Sequence, residues 1–352
     1  MALLIVWLPG FVTMALGSVN YGKNQKFRLE SPPSRLRGTT SPTGREGTLS
    51  WRLMSSIVLL ISVALLTFQS MSSFADSLLG PPIPFKLIGG HIVVPIRING
   101  QGPFQAELDD GSQRNFLDAK IANKIGLQSN GYARISSFGP SDVIMQTSNQ
   151  AGISFDGCLL NGQSIVVADF QKTGMDGGAS GATQAVIGID LFQNYAVTID
   201  SLHSTISLSD PQTYVAPDNA VVVPVSIGTT GIPLAAATIN GVPGVFQVDL
   251  GANGCVLLYP GFVAQNQEHF STAGAIVQTY KEIGGYSTMM MLPSGCDLTL
   301  GPLTAHGSPL NILSADPPHF GSIDLAGNLG YAIWRHSVVT FDLVNHRIIV
   351  DL

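Results

Sequence analysis

The sequence predicts an all-β protein built from two homologous lobes, with a few short helices. Three observations lead there: a module that occurs twice, strand-and-turn punctuation inside each copy, and a composition rich in Gly and Pro but poor in charge.

The repeat organises residues 84–352. Ile98-Asn99-Gly100 returns as Ile239-Asn240-Gly241, and Asp109-Asp110-Gly111 returns as Asp249-Leu250-Gly251. Further on, Gly188–Phe192 is answered by Gly330–Trp334, and Thr198-Ile199-Asp200 by Thr340-Phe341-Asp342. The offsets are 141, 140, 142 and 142 residues. Four landmarks in constant order at one spacing define a module of ~130 residues present twice.

Each copy opens on a hairpin. Ile92–Ile98 is an apolar run that ends at Asn99-Gly100, a pair suited to the positive φ of a two-residue turn. Phe104–Leu108 returns from it and delivers Asp109. Ala119–Gly126 has apolar spacing i, i+3, i+4 and stops at Gly, which reads as a short helix. In the second copy Ala235–Ile239, Asn240-Gly241 and Val245–Val248 deliver Asp249. Val338–Asp342 and Arg347–Leu352 read as a closing hairpin.

Composition agrees. Apolar residues make up 45% of the 352, charged residues 11%, with 39 Gly and 21 Pro. A helical bundle would use more Glu, Lys and Arg, and a disordered chain would be less apolar. Residues 1–75 hold seven of the 17 basic residues and two of the 23 acidic ones. The remainder carries a formal charge of −11, which argues against a nucleic-acid partner. That balance suits either simple solubility or an extracytoplasmic protein working at low pH.

Residues 1–75 read as lying outside the fold. Met1–Gly17 and Ile57–Phe68 are apolar runs, and the second lies between Arg52 and Ser73-Phe74-Ala75. A basic residue, an apolar stretch and a small-x-Ala site describe an export signal, with cleavage expected after Ala75. The tandem of runs implies either a true start near Arg52–Met54 or a first run that anchors the chain to a membrane. Residues 76–215 and 216–352 are then the two lobes.

Cys158, Cys255 and Cys296 form no dense disulfide framework; Cys255 and Cys296 share a lobe and could pair in an oxidising compartment. No C-x-x-C or His/Cys cluster asks for a metal, and no cofactor is expected. Gly177–Gly181 lacks the order of a nucleophile or phosphate loop and reads as a plain loop.

The chemistry-bearing pattern is an apolar residue, Asp, any residue and Gly at the end of a strand, at Leu108–Gly111 and Val248–Gly251. Each is followed much later by an apolar residue before Gly, at Val186-Ile187-Gly188 and Asn328-Leu329-Gly330. This combination resembles the pepsin-like and retropepsin-like aspartic proteases, over nearly all of 84–352. The resemblance implies a two-lobed double β-barrel in which each Asp loop threads beside the later Gly segment. It implies an exported, monomeric endopeptidase, periplasmic or secreted, acting on peptide or protein substrates. Asp109 and Asp249 would be the catalytic pair, supported by Gly111, Gly251 and Ser112, whose hydroxyl could bond the Asp109 carboxylate where Ala252 cannot. Flap hairpins are expected at Tyr132–Asp142 and Gln278–Met289, with Tyr132, Phe138 or Tyr286 lining the cleft.

Two carboxyls sharing one proton can act as base and acid together, which is why the chemistry asks for a pair. The family's middle Thr is replaced by Asp110 and Leu250. Leu250 cannot hydrogen-bond through its side chain, and Asp110 must be protonated, paired with Arg114 or turned to solvent. These departures keep an alternative open: a catalytically impaired two-lobed protein that binds peptides or other ligands in the cleft.

Overall fold

The computed structural model describes residues 78–156, 158–175, 183–316 and 325–351, with three short strand segments, Val6–Leu8, Phe11–Thr13 and Arg28–Leu29, before them. The apolar run Ile57–Phe68, the cleavage position after Ala75 and the glycine-rich 177–181 lie outside the described residues. No described helix is long and apolar enough to cross a membrane.

Two sheets have the same strand order. The first runs Lys86–Ile88, His91–Ile98, Gln101–Leu108, Ala185–Ile187, Asn115–Asp118, Cys158–Ala168, Val143–Phe155 and Gly131–Ile135. The second runs Ser226–Ile227, Pro233–Ile239, Val242–Asp249, Leu325–Gly330, Val256–Leu258, Leu303–Leu313, Gly285–Leu300 and Ile276–Glu282. Each curls until a hairpin strand meets the long strand again, Ile98 against Ile153 and Ile239 against Leu298. The result is barrel-like, so few strand edges stay open.

Local chemistry explains the turns. Asn99 and Gly100 sit at φ 49° and 76°, and Asn240 and Gly241 at 51° and 80°. Asn and Gly tolerate that left-handed region, and both hairpins follow from it. The first-lobe helix spans Ala119–Lys124, with the Asp118 carboxylate accepting from the Lys120 N–H. Such a cap satisfies one of the orphan donors of the first turn.

A third sheet joins the lobes. Its order is Val221–Pro224, Arg347–Asp351, Val338–Asp342, Ala196–Asp200, Thr205–Ser209 and Ile83–Pro84. The closing hairpin is there as expected, Val338–Asp342 pairing with Arg347–Asp351. Its centre is the antiparallel pair Thr198–Thr340, one residue from each copy, with hydroxyls 2.8 Å apart. The Tyr214 hydroxyl adds a 3.0 Å contact to Thr340. Below this sheet Phe192 and Trp334, 142 positions apart, both meet Phe341 edge-on, at 5.8 and 6.1 Å between ring centroids. All three rings are fully buried, and the core runs without a break from one copy into the other.

Cys158, Cys255 and Cys296 are buried free thiols, so the Cys255–Cys296 pairing the sequence allowed is not made. Burial pushes their protons on, Cys255 up to about 11 and Cys296 to about 12.

Thr340→Val keeps the shape of the central pair and removes both of its hydroxyl contacts. A loss of about 1–2 kcal/mol is expected, read as a lower urea midpoint. An unchanged midpoint would show that the lobe-joining sheet does not depend on this buried polar centre.

Candidate active site

Asp109 and Asp249 stand at equivalent strand ends, each beside the strand that carries the later glycine. Ile187 pairs in parallel with Leu108, and Gly330 with Asp249. The loop after each Asp closes the same way, by Ser112 N–H to the Asp109 carbonyl and Ala252 N–H to the Asp249 carbonyl, both 3.1 Å. Ile189 N–H then reaches the Ser112 carbonyl at 2.8 Å and Tyr331 N–H the Ala252 carbonyl at 2.7 Å. Gly188 is a steric requirement here, because a Cβ would lie 2.6 Å from the Ser112 and Arg114 carbonyl oxygens. Gly330 is held in the same way by the Ala252 and Gly254 carbonyls.

The two Asp loops meet across the lobe interface. A Cβ on Gly111 would fall 2.5 Å from Asp249 Cγ, and a Cβ on Gly251 would fall inside the Asp109 carboxyl. Each carboxyl therefore packs on the glycine of the opposite loop. These are close approaches of the kind only glycine permits.

Burial dominates the protonation of both acids. Asp109 is held well above the ordinary carboxyl range by desolvation, then by the charges of Asp249, Glu107 and Asp110. Desolvation also raises Asp249, but hydrogen bonds from Ala252 N–H, the Asn328 side chain and Gly251 N–H oppose it. Ala252 N–H reaches Oδ1 at 3.1 Å and Asn328 Nδ2 reaches Oδ2 at 2.7 Å. Donors to a carboxylate stabilise its charged form. Asp249 is thus the more fully hydrogen-bonded of the two carboxyls.

Asn328 was not apparent as a site residue from the sequence. It occupies the position 142 after Val186, a polar side chain where the first copy has an apolar one. It is buried, and the Tyr259 hydroxyl donates to its Oδ1 at 2.6 Å, with Gln247 Oε1 3.1 Å away. Glu107 and Gln247 were also unrecognised. Each lies two residues before its Asp, hence on the same strand face. Glu107 is buried against His91, with Nδ1 2.7 Å from Oε1.

Ser112 departs from expectation. Its hydroxyl donates to the Arg114 carbonyl at 2.9 Å rather than to the Asp109 carboxylate. The difference between the two acids comes from the Ala252 N–H and the Asn328 side chain, which both donate to Asp249. Asp110 is neither paired with Arg114 nor turned to solvent: it is wholly buried, and its Oδ1 accepts from the Leu250 N–H at 2.6 Å. Burial holds it well above the usual range too.

The cleft above the pair encloses about 350 Å³, and Asp109, Asp249, Glu107, Glu282, Phe138 and Asn328 line it. Both expected hairpins are present, Gly131–Ile135 with Val143–Phe155 and Ile276–Glu282 with Gly285–Leu300. Their tips touch: Gly139 packs on the Ile283 carbonyl, Gly284 on the Ser141 carbonyl, and a Cβ on Gly285 would lie 3.0 Å from Pro140 Cδ. Phe138 lines the cleft and meets Tyr259 edge-on at 6.4 Å. Tyr132 and Tyr286 do not line it; they are 74% and 59% exposed on the outer faces of the hairpins. Glu282, at the second hairpin's tip, is raised to about 7 by burial, against hydrogen bonds from Ser287 and Ser137.

Fold and site together define a class: a duplicated, two-lobed all-β protein with one aspartate from each lobe meeting in a covered cleft. No family model matches the chain, and no curated protein matches its sequence. Among solved structures it is similar to an aspartic proteinase from Irpex lacteus, at 12% identity and a TM-score of 0.48, over 77% of this chain and 96% of that one. It is also similar to basic 7S globulin from soybean, at 11% identity and a TM-score of 0.42, over 77% and 94%.

Gly251→Ala must push Asp109 off its seat. A cost of about 1–3 kcal/mol is expected, with loss of the mutual influence between the two Asp titrations in carboxyl NMR. Coupled titration surviving in the variant would contradict the contact.

Asp109, Asp110, Asp249 and Glu282 all hold their protons more tightly folded than unfolded. Their contribution to stability is therefore complete in acid and is lost as pH rises and the unfolded chain ionises first. For Glu282 the window runs from its ordinary 4.5 to about 7. Calorimetry should find a melting temperature that declines across it, and Glu282→Gln should flatten the decline. A wild-type melting temperature that climbs over this window would refute the assignment.

Proposed function

We propose that this protein is an exported aspartic endopeptidase that hydrolyses peptide bonds with a water held between Asp109 and Asp249. The carrying observation is the unequal pair: two carboxyls, each packed on the other loop's glycine, with hydrogen-bond donors concentrated on Asp249.

In this reading Asp249, as carboxylate, takes a proton from the water while its oxygen attacks the peptide carbonyl carbon. Asp109, as acid, gives its proton to the carbonyl oxygen. The tetrahedral diol then breaks its C–N bond as the proton on Asp249 passes to the departing amine. Asp109 recovers a proton from a diol hydroxyl as the carboxylic acid forms. One base and one acid within a water-poor cleft suffice for each half. The touching hairpin tips give the cleft a roof that would part to admit a peptide. Export, to the periplasm or outside the cell, belongs to the same proposal, on the strength of Ile57–Phe68 and Ser73-Phe74-Ala75. We take the working unit to be a monomer.

The test is cleavage of an unfolded protein by the mature chain from acidic to neutral pH. Asp109→Asn and Asp249→Asn should each lower kcat/KM by about 10³-fold or more. Cleavage that persists in both variants would remove the pair from the mechanism. Saturable peptide binding without cleavage at any pH would favour the ligand-binding alternative.

A further inference from the structure

Asp110 is the one wholly buried carboxyl of the Asp loops that the hydrolytic cycle does not use. Its Oδ1 accepts from the Leu250 N–H of the opposite loop at 2.6 Å, and its Oδ2 has no hydrogen-bond partner. The groups that face it are acidic or neutral. Asp109 precedes it in its own loop, and Asp249 and the Leu250 amide face it from the other. Among the described residues no Lys, Arg or His pairs with it.

The brace runs one way only. Leu250, the equivalent position in the second copy, carries no polar atom on its side chain, so it returns no side-chain hydrogen bond to the first loop. A carboxylate in this place would have only backbone donors, the Leu250 amide and its own N–H, with no partner for Oδ2, no counter-charge and the negative Asp249 beside it. A carboxylic acid keeps the same acceptor for Leu250 without the charge. Burial of a charge without a partner is what proteins avoid, by neutralising the group.

We propose that Asp110 is a positioning residue that works as a neutral acid: protonated, it holds the Leu250 amide and keeps the two Asp loops seated on each other; ionised, it loosens that seat and closes the site from the alkaline side. The link to activity rests on the hydrolytic reading of Asp109 and Asp249. The link to the loop contact does not.

Asp110→Asn and Asp110→Thr both keep an uncharged acceptor and cannot ionise, whereas Asp110→Ala removes the acceptor. Melting temperatures of the mature protein and the three variants are compared from pH 3.5 to 8. The Asn and Thr variants should match the wild type at the acid end and exceed it by a growing margin as pH rises. The Ala variant should fall below the wild type in acid. In parallel, the alkaline limb of kcat/KM, normalised to each protein's own maximum, should move up by at least about one pH unit in the Asn and Thr variants, a tenfold gain on that limb. A stability difference that is the same at every pH, or Asn and Thr variants that both fail to fold in acid, would overturn the proposal. A limb that stays in place while the melting margin grows would overturn its link to activity. If the wild type cleaves nothing, the hydrolytic reading fails, and the melting series still decides the role of Asp110.

Discussion

The structure depends on one contact: two Asp loops from different lobes, each carboxyl seated on the other's glycine. Everything around it limits how far the loops can shift. Gly188 and Gly330 lock each loop onto the strand beside it, with no space for a side chain. The lobe-joining sheet fixes the lobes through Thr198–Thr340, and Phe192, Trp334 and Phe341 fill the space beneath. Cores this closely packed tolerate little displacement, so a contact of glycine on carboxyl can be held to fractions of an ångström.

That seat is electrostatically costly. Glu107, Asp109, Asp249 and Glu282 line the cleft, Asp110 is buried in the same loop as Asp109, and His91 stands against Glu107. Of the cations that line the cleft, Arg134 pairs with Asp142 and Lys281 donates to the Gln171 carbonyl. The acids must therefore keep protons that isolated carboxyls would release. A fold that stores negative groups this way is favoured in acid, because protonation removes the repulsion that packing cannot.

Much of the fold was legible because it was written twice. The Asn-Gly turns, the Asp-x-Gly loops and the x-apolar-Gly segments depend on local backbone chemistry, and each recurs at one offset. What the sequence hid were contacts between residues about 140 positions apart, which no local pattern encodes. Tyr132–Asp142 and Gln278–Met289 read as two separate hairpins, and only the folded chain shows Gly139 and Gly284 packing on the opposite flap. Ser112 lies near enough in sequence to bond the Asp109 carboxylate, yet in the fold its hydroxyl donates to the Arg114 carbonyl. Asn328 could have been found by asking why a polar residue stands where the first copy has Val186. Glu107 and Gln247, polar in both copies of a strand that is otherwise largely apolar, point to the strand face beneath the cleft.

Three differences between the two copies lie around the one place where they must agree. Asp109 and Asp249 are equivalent, but Val186 faces Asn328 in the alignment of copies, Asp110 faces Leu250, and Ser112 faces Ala252. A symmetric site would give its two carboxyls equal proton affinity, and the single proton would have no assigned seat. Asn328 breaks that tie by donating to Asp249, and Tyr259 holds the Asn328 amide in the orientation that donates. Asp110 and Leu250 break the mirror brace beneath into a single bond. Duplication supplies two matched loops, and the differences between the copies give the two carboxyls unequal hydrogen-bond support. These three differences sit beside the carboxyls, while the Asn-Gly turns, the loop glycines and the strand order that position them stay alike.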